Sequence, residues 1–424
     1  MSGLFSQVGM AVEARVSKTI AASGSTVTAG VPNIATLTTT VAHTFAVGDV
    51  VTITSGTPAT INGQWTITAV PSTTTFVIQT GATLLVAATA GTVNCTAYGL
   101  TTTPARFFEA TSESVEIKNE RLNSKSLAIG QRTQSATRFL PYEKGAAGDL
   151  ELEAMTKGFG FFLAGMVGPV TTTANAPVSG AHTHVANLGN VRGTSYTYQK
   201  LVPLASGGVL PTGQTIGVGG KPITINGMKV RSWTLSCDTS GFLNAKLTWS
   251  GRASDGAKAF SPASYPTGDP FSFVGGALTA DYGAGAVTLG VVSKFEVSCD
   301  LKLKDRETIG TGAPAEPLES DYREIKWSAD IEFSDTAMMD RYNSATAAGA
   351  LVALVATFTG PTVITGSTYP SLTISLPKAR VDGKTPTVAG PDIVSVSVEG
   401  IATNSSVTAS DAIAVTYITA DTAP

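Results

Sequence analysis

The sequence predicts a mainly β fold, on three observations. Short runs that alternate apolar and polar residues recur along the chain, and glycine, proline, asparagine or aspartate separates them. Because successive side chains of a strand point to opposite faces, such runs are typical of strands with one buried face. Glycine is plentiful, with 44 residues, as expected where many turns are needed. Charged residues make up only 14% of the chain, which indicates either a Ser- and Thr-rich surface or a surface covered by other subunits.

Residues 20–96 form an almost uncharged module after a short lead. Asp49 is its only charged residue, and charge returns on both sides of it. Asn62-Gly63 predicts a hairpin with a type I′ turn, because both central residues of that turn need positive φ. We expect a small β-sandwich or barrel that is inserted in the fold and has a structural role. Its alternating segments are ATLTTTVAH, DVVTITS, QWTITAV and TFVIQT.

Two helices are predicted in the charged remainder of the chain. The first covers residues 148–167, where apolar residues recur at three- and four-residue steps. Glu151 and Glu153 would lie in its first turn, where the helix dipole favours negative charge. The second helix covers residues 335–349, with Asp335 as its N-cap.

The other elements are predicted to be strands. The Thr-, Gly- and Pro-rich stretch 169–222 is long for a loop, so we expect an extended hairpin or arm with a strand at TSYTYQKLVP. Two later strands share the ending S-C-D, which suggests structurally equivalent positions. The apolar run 350–358 predicts a buried strand. The remaining alternating segments are KVRSWTLSCD, SKFEVSCDLKLK, REIKWSADIEF, SLTISLP, DIVSVSVEGIA and AIAVTYIT.

No group of residues indicates catalysis, so we expect a protein that is not an enzyme and has no catalytic residues and no cofactor. The glycine-rich segments GGKP and GKT both fail the phosphate-loop pattern. His182 and His184 have a spacing that metal sites use, but no Cys, Asp or Glu lies within ten residues. We therefore expect loop histidines and no metal site. His43 is expected to be capped or solvated in a strand of the module, and the charged run 302–307 predicts a solvated strand end or a subunit contact.

Charge and cysteine content exclude further classes. The net charge is −3, and no basic cluster supplies the footprint of a protein that grips nucleic acid. Cys95, Cys237 and Cys299 match neither a disulfide framework nor a zinc site, so we expect reduced thiols made in a cytosol. The N-terminus lacks the pattern of a signal peptide. No apolar run approaches the roughly 18 residues of a membrane span, so we expect no membrane-spanning segment.

Several segments resemble the major tail (tail tube) proteins of long-tailed bacteriophages, and their order along the chain carries the resemblance. The family pattern T-P-x-R-F-[FL]-E corresponds to Thr103–Glu109, G-x-R to Gly130–Arg132, and G-F-G-x-x-L to Gly158–Leu163. In the family the lead and the first pattern usually lie close together, whereas here the uncharged module separates them, as an insertion would. The quoted segments are VGMAVEA, TPARFFEATSESVEIKNERLNSKSL, KGFGFFLAGMVG, TLSCDTSGFLNA and ISLPKARVDGKTPTVAGPDIVSVSVEG.

The resemblance implies a tail-tube β-sandwich or barrel core formed by residues 1–19 and 97–424, with one or two short helices and long hairpin arms. Residues 20–96 would be an inserted β-sandwich domain on the outer surface. The subunits are expected to assemble in the host cytoplasm into stacked hexameric rings of a virion tail. Other tail proteins would bind the tube ends. Double-stranded DNA would pass through the lumen during ejection without specific binding, because a base-poor, acidic wall repels phosphate.

An alternative function is left open by the sequence. The protein could be an adhesive or carbohydrate-binding β protein that uses residues 20–96 as its binding head. Sites of that kind usually expose aromatic side chains, and the region offers Phe45, Trp65, Phe76 and Tyr98.

Overall fold

A computed structural model of the chain separates into two compact units. The large unit comprises Met1–Met10, Pro104–Arg192 and Tyr198–Pro424, and the small unit comprises Ala11–Thr103 and Gly193–Thr197. The structure describes residues 7–13, 15–28, 33–43, 45, 50–80, 87–96, 104–125, 133, 138–175, 180–203, 220–254, 261, 263–283, 285–307, 314–333, 336–346, 349–383, 385–386, 394–406 and 411–424.

The small unit is built on one antiparallel sheet of seven strands. Its strands are arranged in the order β2-β8-β5-β6-β7-β4-β3. Strand β1 (Gln7–Val12) precedes them in the chain and belongs to the other large sheet. Alternate apolar side chains of these strands, among them Leu37, Val51, Phe76 and Val93, form a buried cluster on one face. The strands are β2 (Arg15–Thr19), β3 (Thr26–Thr28), β4 (Asn33–Thr38), β5 (Val50–Thr57), β6 (Gly63–Ser72), β7 (Thr75–Thr80) and β8 (Ala90–Thr96).

The hairpin predicted at Asn62-Gly63 is present, but its turn is not type I′. Strands β5 and β6 pair antiparallel, with Ile53 opposite Gly63. A 3₁₀ helix, Ala59–Ile61, occupies the connection, and Asn62 keeps a negative φ of −63°. Only Gly63 has positive φ, so the dipeptide ends a longer connection instead of forming the two central positions of a tight turn.

The remaining strands belong wholly or mostly to the large unit, and the predicted mainly β fold is confirmed. They are β9 (Arg106–Phe108), β10 (Ala110–Glu113), β11 (Glu116–Asn123), β12 (Phe139–Glu153), β13 (Val170–Ala174), β14 (His182–Asn187), β15 (Tyr196–Pro203), β16 (Gly220–Asp238), β17 (Asn244–Gly251), β18 (Ala253–Ser254), β19 (Gly276–Asp281), β20 (Ala286–Thr288), β21 (Val292–Asp300), β22 (Leu303–Arg306), β23 (Ala315–Glu319), β24 (Glu324–Glu332), β25 (Leu351–Thr359), β26 (Ser371–Gly383), β27 (Ser395–Ala402) and β28 (Ala414–Thr419).

Most of these strands form a closed, barrel-like sheet. One side of it runs in the order β12-β17-β16-β21-β24-β27. Strand β26 joins this side to the rest of the sheet. On one of its edges β26 pairs with β28 through Ser371–Ser375 and with β27 through Ala379–Gly383, and on the other edge it pairs with β25. Closure leaves few strand edges open, which limits unwanted pairing with other chains. Strands β22 and β23 form a separate two-stranded ribbon.

Large aromatic side chains fill the interior of the large unit. Trp233, Trp249 and Trp327 are all buried. The indole N–H of Trp233 donates to the carbonyl of Met166 at 2.7 Å, and that of Trp327 donates to the carbonyl of Arg380 at 3.2 Å. Both indoles therefore bury a large apolar area without leaving their one donor unpaired.

The helix predicted over residues 148–167 is wrong in its first half. Residues up to Glu153 belong to β12, because Leu150, Leu152 and Ala154 alternate with polar residues and are buried together on one face. A 3₁₀ helix, Phe159–Phe162, and a single α-helical turn, α1 (Leu163–Met166), follow. Gly158 has a φ of +82°, so no regular helix can run through it.

The second predicted helix is present but shorter, as α2 (Ala337–Tyr342). Its expected N-cap, Asp335, lies outside the described residues. In the stretch 169–222, the predicted strand at TSYTYQKLVP is confirmed as β15. The stretch contains an antiparallel hairpin, β13–β14, in agreement with the predicted hairpin, and β14 also pairs with β28 of the barrel-like sheet. Residues 204–219 of the stretch lie outside the described residues.

The alternating segments after residue 222 are confirmed as strands β16, β21, β24, β25, β26, β27 and β28. The two strands that end in S-C-D are direct antiparallel neighbours, with Trp233 opposite Cys299 and Cys237 opposite Phe295. Both cysteines are buried free thiols. Burial raises the pKa of Cys299 to about 12, so this thiol is protonated at neutral pH.

Candidate functional site

One face of the barrel-like sheet is strongly acidic. Along β12, β17, β16, β21, β24 and β27 the buried residues alternate with residues that face away from the core. We call the outward side of these six strands the acidic face. Its carboxylates are Asp149, Glu151, Glu153, Asp238, Glu296, Asp300, Glu324, Asp330, Glu332 and Glu399, and its lysines are Lys246, Lys294 and Lys326. Arg231, at the bulge of β16, pairs with Asp305 of β22, and this neutral pair is left out of the charge of the face.

The register of the strands brings distant carboxylates into one row. Each residue of this row lies directly opposite the next on the neighbouring strand, and the row contains three glutamates and no base. In order across the sheet it consists of Glu153, Asn244, Ser236, Glu296, Ser328 and Glu399. The row joins residues that are far apart in the sequence.

The acidic face concentrates the negative charge of the chain. Ten carboxylates against three lysines give it a net charge of −7, whereas the net charge of the whole chain is −3. The rest of the chain is therefore net positive. Such an asymmetry produces a negative potential on one side of the unit that composition alone does not reveal.

The three lysines neutralise part of this charge. Lys246 Nζ lies 2.8 Å from Glu151 and 3.4 Å from Asp149, and hydrogen bonds to Glu151 and then Asp149 raise the pKa of Lys246. Lys326 lies 3.0 Å from Glu324, and its hydrogen bond is the largest cause of the lowered pKa of Glu324. These pairs are exposed, so each contributes little to stability.

Other carboxylates of the acidic face keep their charge uncompensated. Lys294 pairs loosely with Glu296 at 3.6 Å, and Lys302 reaches Asp300 from the end of the sheet at 2.8 Å. In the described part of the chain, five carboxylates of the face form no ion pair, namely Glu153, Asp238, Asp330, Glu332 and Glu399. The face can repel an anion such as a nucleic-acid phosphate, and it offers no basic group arranged to hold one.

The predicted assignment of Glu151 and Glu153 to a helix N-terminus is corrected by this geometry. Both residues lie on a strand, and Glu151 is opposite Lys246 of the neighbouring strand. The segment Asp149–Glu153 alternates acid and leucine, which is a strand pattern with a polar outer face. The same alternation of buried apolar and outward charged residues recurs in β21 and β24, so the sequence contained the signal for each strand separately.

A long hairpin extends beyond the sheet at one end. Strand β12 pairs with β17 from Ala146 to Glu153, whereas its earlier residues, from Phe139 to Gly145, pair only with β11 within the described part of the chain. We call residues 119–123 and 139–143 the arm. The whole of its β11 side is exposed, as are Phe139 and Leu140 on the β12 side. The last residue of this arm precedes the stretch in which an arm is predicted, residues 169–222, by 26 positions.

The three histidines do not lie where they are predicted. His182 and His184 lie on strand β14 and not in a loop. His184 is fully buried, and its ring nitrogens contact Thr172 Oγ1 at 2.8 Å and the carbonyl oxygen of Asp421 at 3.0 Å. Burial lowers the pKa of His184. No described group of three or more His, Cys, Asp and Glu side chains is arranged to hold a metal ion.

His43 is also buried, and it lies outside the described strands of the small unit. It stacks on Phe45 with a centroid distance of 4.4 Å, and its Nδ1 accepts a hydrogen bond from the backbone N–H of Phe45. The ring therefore caps a local turn, which agrees with the capped alternative of the prediction, whereas the predicted strand position is wrong. Burial lowers the pKa of His43.

The aromatic residues that the alternative function requires are mostly not exposed. Phe45 and Phe76 are buried. Trp65 is half-buried, and its indole N–H donates to the carbonyl of Ile61. Tyr98 lies outside the described residues. The small unit therefore presents no exposed aromatic platform among the residues that the structure describes.

The charged run 302–307 corresponds largely to the exposed ribbon strand β22, as predicted for a solvated strand end. Asp305 pairs with Arg231 at 2.5 Å, and Asp300 pairs with Lys302. Across the described residues, no helix has the length and apolar character needed to cross a membrane.

Comparison with known proteins identifies the family of the chain. A search of curated proteins found no match. The family described as phage tail tube protein matches residues 95–402, which is well over half of the chain and includes every strand of the acidic face. The chain belongs to the phage tail tube protein family and has the structural role of a tail tube subunit in the virion.

Proposed function

We propose that this subunit forms stacked hexameric rings in which the acidic face lines the lumen, so that double-stranded DNA passes through the tube during ejection without being held. The observation that carries the proposal is the net charge of −7 on one sheet face of a chain whose total charge is −3. Assembly would take place in the host cytoplasm, with other tail proteins bound at the tube ends.

The charge of the proposed wall suits a passing polyanion. DNA carries one negative charge per about 1.7 Å of helix axis, and proteins that hold it neutralise phosphates with Lys and Arg. A wall of Ser, Thr and uncompensated carboxylates repels phosphate along the whole path and gives no position at which DNA would stop. Within the register row the residues between the glutamates, such as Ser236 and Ser328, are small and polar, so this row carries no long cationic side chain.

Exposed strand structure supplies the proposed contacts between subunits. The arm projects past the sheet and has no second strand of its own chain beside β12 among the described residues. An isolated two-stranded hairpin is at best marginally stable in water, so an arm of this length needs a partner surface. A neighbouring subunit in the assembled tube would supply it.

Electron microscopy of the purified protein tests the assembly. We expect six-fold rings or tubes on the order of 100 Å wide, the rough size of six domains of about 40 Å arranged around a pore. Sedimentation should show the same assemblies as species much larger than one chain. A protein that stays monomeric across protein concentrations and salt conditions, with native circular dichroism, would contradict the proposal.

We also propose that the small unit is an insertion that decorates the outer surface and is not needed for assembly. Strands β1 and β9 support this. They pair antiparallel with Met10 opposite Arg106, and the N–H of Ala105 donates to the carbonyl of Met10. The chain therefore leaves and returns to the large unit at adjacent backbone positions, as it would at the tip of a simple hairpin.

Excision of the insertion tests this role. Replacing residues 14–103 with a short Gly/Ser linker should leave ring and tube formation unchanged in electron micrographs, with a smaller outer diameter. The design keeps Glu13, whose carboxylate accepts a hydrogen bond from Ser195 at 2.5 Å. A matched control replaces only residues 20–96, the boundaries of the insertion that the sequence predicts. This shorter replacement removes β8 and leaves its partner strand β2 unpaired. If the variant that lacks residues 14–103 folds but forms no rings, the small unit takes part in assembly.

A further inference from the structure

The large unit carries two separate groups of exposed apolar side chains. The first, which we call the arm tip, comprises Leu122, Phe139 and Leu140, the last with 62% of its surface exposed. The second, which we call the end patch, is formed by Phe242, Phe273, Val274 and Val291, with Val274 79% exposed. Clusters of large exposed apolar residues mark interaction surfaces.

The end patch surrounds a cavity of about 210 Å³. Phe273 lines this cavity, and Val291 lies between two lining residues, Gly290 and Val292. Phe242 is bridged to Ser272, which adjoins Phe273. The interior of the cavity is mainly apolar and is formed by Leu278, Leu289, Ala356, Phe358 and Cys237 among others. The patch therefore combines an apolar rim with a recess that can accept apolar side chains.

The arm tip and the end patch lie at opposite ends of the same sheet. Strand β12 runs from Phe139 at the arm tip to Glu153, which is opposite Asn244. Asn244 follows the turn that carries Phe242. Fourteen residue steps at about 3.3 Å each separate the two ends by roughly 40 Å or slightly more. The arm tip of one subunit cannot reach the end patch of the same subunit.

The charges around the two surfaces are of opposite sign. Exposed Arg121, Lys125 and Arg138 outnumber the exposed carboxylate Glu120 around the arm tip. Beside the end patch, the carboxylates Asp238 and Glu332 outnumber Lys294: Asp238 and Lys294 line the cavity, and the backbone N–H of Glu332 donates to the carbonyl of Val291. Opposite potentials favour encounter in one orientation and disfavour contact between two arms or two patches.

We propose that the arm tip of one copy of this chain docks on the end patch of the next copy along the tube. This inference rests on the proposed tube assembly and names the surfaces that join successive rings. Two different surfaces at opposite ends make a heterologous contact, which repeats in one direction without closing. Docking would bury both apolar groups and would give the arm the support that a two-stranded hairpin lacks by itself.

Chemical cross-linking tests the contact. In a Cys237→Ser background, the double variant Leu140→Cys with Val274→Cys is assembled and treated with a short bismaleimide, whose spacer is far below the roughly 40 Å between the sites within one copy. We expect a ladder of dimers, trimers and higher multiples on a denaturing gel. Each single variant should give at most dimers. A matched control pairs Leu140→Cys with Tyr322→Cys, a 92% exposed residue next to the Glu324 end of the sheet, and should give no ladder.

The outcomes separate the docking from the tube itself. Tubes of normal appearance without a ladder, or with an equal ladder for the Tyr322 control, overturn the docking and leave the proposed function in place. Absence of any rings or tubes, in the native chain as well, contradicts the proposed function and removes the docking with it. If only the double variant fails to assemble, the two cysteines are placed on separate chains and co-assembled with native chain. Cross-linked dimers that need both variants then support the docking, and their absence overturns it.

Discussion

Replacing Glu153, Glu296 and Glu399 with lysine is expected to convert a tube that excludes DNA into one that retains it. The three residues lie in one register row, and the triple substitution changes the net charge of the acidic face from −7 to −1 per chain. Each new lysine can neutralise a phosphate and release a counterion. A duplex with 6–10 such contacts loses roughly 10³–10⁵ in affinity between 50 and 200 mM salt.

The measurement uses tubes assembled in the presence of short duplex DNA and then digested with nuclease. Variant tubes should contain protected DNA at low salt and lose it as salt rises, and native tubes should contain none. Phage that carry the variant should show a loss of titre. The substituted side chains are outward and the core is untouched, so the tube diameter should not change.

A control variant makes the same charge change outside the acidic face. Glu109→Lys, Glu116→Lys and Glu307→Lys alter exposed carboxylates that belong to none of its six strands. Any DNA that these tubes bind should be open to nuclease. Normal tubes of the acidic-face variant without protected DNA would show that this face does not line the lumen.

Lys229→Ala is expected to destabilise the subunit by about 3–5 kcal/mol, the usual cost of removing one partner from a buried ion pair. The side chain of Lys229 is 2% exposed, and its ammonium group lies 2.5 Å from Glu316 and 3.0 Å from the carbonyl of Val191. Burial lowers the pKa of Lys229, and the Glu316 carboxylate opposes that shift. Truncation removes the buried ammonium group that pairs with Glu316, which is 14% exposed, and leaves a void where the lysine side chain was buried.

Urea unfolding of the unassembled subunit measures this effect as a lower midpoint at an unchanged slope. The matched control is Lys326→Ala, which removes a lysine side chain from an exposed ion pair. The side chain of Lys326 is 59% exposed and that of its partner Glu324 is 36% exposed. That variant should lose only about 0–1 kcal/mol. Equal midpoints for the two variants would refute a stabilising role for the buried pair.

Lys229 also shows what the strand pattern in the sequence leaves undecided. The segment KVRSWTLSCD is recognisable as a strand, because Trp233, Leu235 and Cys237 alternate with polar residues. A register shift between Val230 and Ser232 interrupts that alternation. A bulge of this kind changes which face the earlier residues occupy. The sequence does not reveal it, because the bulge depends on how β16 pairs with β17.

The failed helix prediction has a related cause. Residues 148–167 contain both the two-residue period of a strand and the three- to four-residue period of a helix. Acids and leucines alternate up to Glu153, and the aromatic residues that follow recur at helical steps. Local propensity cannot decide between them. Pairing of β12 with β17 over eight residues satisfies the backbone groups of the first half as a strand, and tertiary pairing overrides a weak helical preference.

The sequence by itself determined the mainly β fold, the positions of most strands and the resemblance to tail tube proteins. All of these depend on local patterns and on motif order. Only the tertiary structure decided which polar faces lie together. The ten carboxylates of the acidic face are spread from Asp149 to Glu399, and strand pairing between distant segments brings them onto one surface. Register is a non-local property, and a slip of one residue would turn each of these charges toward the core.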